Sequence, residues 1–151
     1  MADYQNTEVN QSSAVHVGAH DASVEYDSKK DFTTLEAWKK SREVKVFFYR
    51  EVIPLLPDVE KFNLNVQIRK AAVSATANIA EGYGRYHYQE GIQYYRVSRG
   101  SLYELKDHLI SCRDIEVIDE ENYRKGISLI EEAKATLNGF IRFVRIRKET
   151  S

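Results

Sequence analysis

Apolar residues recur at spacings of three and four along most of this chain, and from residue 32 onward that period divides into four stripes. The first is Leu35, Trp38, Ser41, Val44, Phe48 and Val52. Thr33 or Thr34 can cap this helix, with Glu36 in its first turn. Pro54 and Pro57 are the only prolines; they end the helix and build the first connection. A second helix is expected from about Glu60–Asn63, on the stripe Leu64, Ile68, Ala71/Ala72, Ala75 and Ile79, with Gly82 and Gly84 stopping it. Its second half is rich in small residues (Ala71, Ala72, Ser74, Ala75, Thr76, Ala77, Ala80), which allow another helix to approach closely. The third helix, roughly Tyr88 to Arg113, carries Ile92, Tyr95, Ser98, Leu102, Leu105, Leu109 and Cys112. Gly100 lies inside it at a cost of ~1 kcal/mol relative to alanine, which close packing on the alanine-rich helix would offset. The fourth begins after Asp119 on Tyr123, Ile127, Ile130, Ala133, Leu137, Phe140/Ile141 and Val144. Glu120 and Glu121 open it and Arg142, Arg145, Arg147 and Lys148 close it, an order that complements the helix dipole.

Four amphipathic helices with short connections predict an all-α fold: an antiparallel up-down-up-down four-helix bundle over residues 31–151. Residues 1–30 show neither a helical nor a strand period and are expected to form a disordered tail. His16 and His20 in that tail lack a third ligand, so incidental histidines are the expected reading.

Net charge over the whole chain is −1, which argues against indiscriminate nucleic-acid binding. The tail holds five acids and two lysines, leaving 18 acids against 20 bases in residues 31–151, so the bundle itself is weakly basic. With a single cysteine, Cys112, no intrachain disulfide can form, and a cytoplasmic location is expected. The polar N-terminus has no secretory h-region, and no apolar run reaches the ~18 residues of a membrane span.

Catalytic and cofactor patterns do not emerge. Gly82-Tyr83-Gly84 follows a helix and lacks the third glycine and the lysine of a phosphate loop. The Glu-x-x-His spacing of a di-iron bundle is missed by one residue between Glu104 and His108. No enzyme activity, metal or other cofactor is therefore expected. Six of the ten tyrosines lie between Tyr83 and Tyr103, interleaved with Arg85, Arg96 and Arg99. Packing or subunit contact is the first reading of that mixture; stacking and phosphate contact with single-stranded nucleic acid is the second. Arg142, Arg145, Arg147 and Lys148 suit phosphates and a solvated helix end equally. Asn78 and Glu81 on the second helix, with Arg99, Ser101 and Glu104 on the third, are expected to form a polar network that sets helix register.

The run Gln67-Ile68-Arg69-Lys70-Ala71-Ala72-Val73-Ser74, followed by Ala77-Asn78-Ile79-Ala80-Glu81-Gly82-Tyr83-Gly84-Arg85, resembles the bacterial 23S rRNA-intervening-sequence proteins. Arg99-Gly100-Ser101-Leu102-Tyr103-Glu104-Leu105 resembles the second signature of that family, and Trp38 and Leu56-Pro57 also fit. The resemblance covers about residues 31–145. It implies a four-helix bundle assembling into a homopentameric ring. It also implies kinship with accessory variability determinant proteins of diversity-generating retroelements, which bind nucleic acid and partner a reverse transcriptase. Three features depart from the pattern. Ala75-Thr76 stands in place of Ile-Pro, Gly91 in place of phenylalanine, and the chain is near neutral where the accessory determinants are basic. The first predicts a less kinked second helix and the second a looser start to the third. Together, residues and resemblance lead to an expected oligomer, without catalytic residues, that binds RNA or DNA or assists a reverse transcriptase. Arg69, Lys70, Arg85, Arg96, Arg99 and the Arg142–Lys148 cluster are its candidate contacts. The alternative is a protein-interaction scaffold.

Overall fold

A computed structural model describes residues 30–150. The tail assigned to residues 1–30 lies outside the described residues except for Lys30. Four helices make the bundle: α1 (Glu36–Phe47), α2 (Leu64–Gly84), α3 (Tyr88–Asp114) and α4 (Glu120–Thr150). Each packs on the next, and α4 closes the square against α1. The four predicted stripes meet inside, where Phe48, Ile68, Ile79, Tyr95, Leu102, Leu105, Leu109, Ile130 and Leu137 are sealed from solvent.

The ends of the helices differ from expectation in ways that have local causes. Neither Thr33 nor Thr34 caps α1. Asp31 accepts from the Thr33 backbone N–H and hydroxyl, capping a separate 3-10 turn at Phe32–Thr34, and α1 then starts after Leu35 without a side-chain cap. Those bonds hold the Asp31 carboxyl below its ordinary range. Beyond Phe47 the chain widens into a π-helical turn, Phe48–Val52, before Pro54 enters the 3-10 turn Ile53–Leu55. α2 starts at Leu64, whose N–H donates to the Glu60 carboxylate at 3.1 Å. Asp119 accepts from the N–H of Asn122 at 2.7 Å, the N-cap bond of α4.

The glycines require the largest correction. Gly82 and Gly84 do not stop α2, which runs through both, and the left-handed residue that turns the chain is Tyr86, at φ 52°. Gly82 is instead buried at the α2–α3 crossing. A Cβ there would lie 2.7 Å from a Tyr95 ring carbon and 3.0 Å from the Gly91 carbonyl oxygen. Gly91 does not loosen α3. It is buried in the helix, and its missing side chain admits the Gly82 carbonyl, 3.2 Å from where a Cβ would stand. Gly100 does not pack on the alanine face: it is exposed, and nothing lies within 4 Å of its Cβ position. Ser98 makes that contact, donating its hydroxyl to the Ala75 carbonyl at 2.5 Å. On α4, Gly126 is buried where a Cβ would strike Leu109 and Phe47, and Ile127 beside it is only half-buried.

Candidate nucleic-acid interface

The outer seam between α3 and α4 runs the length of the bundle and changes character along it. At the end where α4 begins, opposite charges pair across the seam. The Arg113 guanidinium lies 4.5 Å from the Tyr123 ring centroid and 3.5 Å from the Glu120 carboxylate. One level further along, Lys106 reaches Glu131 at 2.7 Å. Glu131 also takes the ammonium of Lys134 at 3.2 Å, and Lys134 covers a face of Tyr103 at 3.9 Å. These bonds, that of Lys106 foremost, hold the Glu131 carboxyl below its ordinary range. Lys134 is buried although charged. Its position, four residues after Ile130 and three before Leu137, places it on the core stripe, so the period carried a signal for it that charge obscured.

Beyond Tyr103 the pairing ends. Arg99 donates to the Asn138 side-chain oxygen at 3.0 Å, which fixes the level at which the two antiparallel helices meet. One turn back along α3 stands Arg96, and one turn forward along α4 stands Arg142, with Arg145 a turn beyond. Arg96, Arg142, Arg145 and Lys148 are exposed and have no ion-pair partner among the described residues. The surrounding sequence contributes to this: residues 91–103 and 133–148 contain no aspartate or glutamate, and the acid of α4 nearest to Arg145 is Glu149, one turn further on. The Arg147 guanidinium lies over the Phe143 ring at 5.0 Å. Arg96, Arg99, Arg142 and Arg145 therefore share one end of one seam, while Arg147 turns to the other side of α4 with Phe143.

The other candidate cations lie elsewhere. Arg69 sits on the opposite side of the bundle, bonded to Asn65 at 2.7 Å and stacked 5.2 Å from the Tyr49 ring of the π-helical turn; Lys70 is exposed beside it on α2. Arg85, in the α2–α3 turn, bonds Glu81 at 2.9 Å and the Tyr94 hydroxyl at 2.7 Å, with its guanidinium over the Tyr94 ring. The tyrosine cluster is divided in the same way. Tyr83 and Tyr95 are core residues, Tyr88 and Tyr94 are half-buried, and Tyr86 and Tyr103 are exposed.

The expected polar network takes a different form. Asn78 and Ser101 are brought together, but through Ser74, which the sequence reading did not include. Asn78 donates to the Ser74 carbonyl and hydroxyl at 3.0 and 2.9 Å, and Ser101 donates to the Ser74 hydroxyl at 2.6 Å. Glu81 turns out to Arg85, and Glu104 to His108 at 2.9 Å. Both glutamates are exposed, where hydration removes any need for a buried partner.

Burial pushes the Cys112 thiol up to about 11, which keeps it protonated and unreactive at neutral pH. Among the described residues, no three His, Cys, Asp or Glu side chains group as metal ligands, and no helix is long and apolar enough to cross a membrane. His16 and His20 lie outside the described residues.

Residues 33–139 match the family model of the 23S rRNA-intervening sequence protein. No curated protein matches the chain.

Proposed function

We propose, for a chain that belongs to the 23S rRNA-intervening sequence protein family, the role of a non-enzymatic oligomeric bundle in the cytoplasm that binds RNA or DNA, or assists a nucleic-acid enzyme such as a reverse transcriptase. The observation that carries the reading is the cation-rich end of the α3–α4 seam, where Arg96, Arg142 and Arg145 stand exposed with no ion pair among the described residues and Glu149 is the one acid of α4 nearby. Cations held in no ion pair keep more of their field for an external anion, and each phosphate they neutralise releases counterions. Net charge near zero does not oppose this, because charge is unevenly spread: none of the 23 carboxylates falls in residues 91–103 or 133–148, which hold Arg96, Arg142 and Arg145. Assembly into a homopentamer, implied by the family resemblance, would repeat the seam around a ring and multiply its affinity.

The test is the mobility of labelled RNA and DNA with purified protein at two salt concentrations, after light scattering has given the subunit number. The expected result is a five-subunit particle and a shift that weakens steeply with salt. An affinity unchanged between low and moderate salt sinks the nucleic-acid reading, and a monomer sinks the ring.

A second reading, a protein-interaction scaffold, draws on the first connection. Val59 is 86% and Phe62 85% exposed, with Leu55 exposed close by in sequence. Large apolar side chains this open on a short, proline-bounded connection suit a protein contact. A well-formed oligomer that shifts no nucleic acid would favour this reading.

A further inference from the structure

Nucleic acid can be held by its bases or by its backbone, and the seam discriminates between the two. Single-strand recognition needs aromatic faces on which successive bases stack, set along a cationic groove. The cation-rich end has the cations without the rings. Its outward positions on α3 are Gln89, Gln93, Arg96 and Gly100; on α4 they are Ala135, Arg142, Arg145, Ile146 and, one turn past Arg145, a single acid, Glu149. Phe140 and Tyr95 pack against each other, ring centroids 4.8 Å apart. Phe143 lies under Arg147, and Tyr103, at the edge of the strip, has one face covered by Lys134. Across the molecule the same pattern repeats: Tyr94, Tyr49 and Tyr123 carry the guanidinium groups of Arg85, Arg69 and Arg113.

The strip is also shallow. Gly100 follows Arg96 by one turn on the same outward line, and beyond its chain neighbours and the backbone of its own helix no described atom lies within 4 Å of its Cβ position. Nothing inside the molecule calls for glycine there. What its absent side chain provides is access from outside, where a bulky strand could approach the helix between the arginines.

We infer that the Arg96–Arg142–Arg145 strip grips the sugar-phosphate backbone of double-stranded nucleic acid, without reading sequence. This rests on the nucleic-acid reading above and makes it specific. A duplex presents one charge per ~1.7 Å of axis, about twice the density of one strand, and buries its bases where this surface could not use them. Guanidinium groups bind phosphate oxygens through paired N–H donors and need no groove to do so. Arg99, committed to Asn138, positions the two helices; the other three provide the contacts.

The experiment is fluorescence anisotropy of the full chain with a 20-base-pair RNA duplex, a DNA duplex of unrelated sequence, and each single strand, over a series of salt concentrations. Both duplexes should bind alike, and about tenfold more tightly than their strands. The triple variant Arg96→Ala, Arg142→Ala, Arg145→Ala should bind duplex far more weakly, and the binding left at low salt should show a log–log salt slope flatter by about 3, roughly one per arginine. The double variant Arg69→Ala, Lys70→Ala, on the other side of the bundle, should bind as the parent does. Circular dichroism should show the triple variant folded, since none of its three arginines holds an ion pair in the bundle; a triple variant that binds normally overturns the assignment of the strip. Strands bound as tightly as duplexes overturn the duplex inference and leave the nucleic-acid reading standing. No binding to any of the four overturns both.

Discussion

The two seams of α3 are built on opposite principles. Toward α2 it makes its closest approach, with Gly82 and Gly91 back to back, the Ser98 hydroxyl on a backbone carbonyl, and Ser74 joining Asn78 to Ser101. Toward α4 its outer edge is charged, paired at one end by Lys106 and Glu131 and unpaired at the other. Close approach fixes register through sterics and short hydrogen bonds, which tolerate no added atoms. Exposed ion pairs fix little, contributing only ~0–1 kcal/mol, and so outside the part-buried Arg99–Asn138 bond that seam can carry charges for use elsewhere.

The sharpest way to break the contrast is Gly82→Val. Branched carbons would be forced into Tyr95 and the α3 backbone, and overpacking of this kind should destabilise the bundle by about 1–3 kcal/mol in urea unfolding. A change under ~0.5 kcal/mol would mean the crossing yields, and the α2–α3 seam would not be the rigid one. Gly100→Ala, on the same helix but facing out, should do the opposite. With open space around the new methyl and a gain in helix propensity, it should stabilise by about 0.5–1 kcal/mol by the same measurement. Destabilisation there would show that oligomer contacts cover the strip.

The smallest effect is electrostatic. Glu131 is held below its ordinary carboxyl range by Lys106 and Lys134, so its contribution is present above its unfolded value near 4.5 and is lost as pH falls through the lower folded value. Glu131→Gln should therefore lower the melting temperature slightly at pH 7, and parent and variant should converge in the acid range. A difference that persists below pH 3 would show that Glu131 acts by packing and not by charge.

Parts of the site were legible before the fold was known. The arginines of α4 stand out as a run, and the stretch without carboxylates from 133 to 148 is visible in the letters alone. What could not be read was their neighbour. Arg96 and Arg142 are 46 positions apart, and only the Arg99–Asn138 level brings them together. The same folding removes Arg69 and Lys70 to another face and spends Arg85 on Glu81 and Tyr94. The tyrosine cluster looked like one feature because it is contiguous in sequence. A helix distributes contiguous residues around its axis, and it sent Tyr95 to the core and Tyr103 to the surface.

By itself the sequence determined four helices, their burial stripes and the connections between them. These follow from a 3.6-residue period that each segment carries within its own length. The caps came out less well, because a cap depends on which of several adjacent polar groups the backbone reaches. Only the tertiary structure decided the roles of the glycines, the partner of each charge and the half of the α3–α4 seam left unpaired. Those are relations between segments distant in the chain, set by the level at which antiparallel helices pack, and no local period encodes that level.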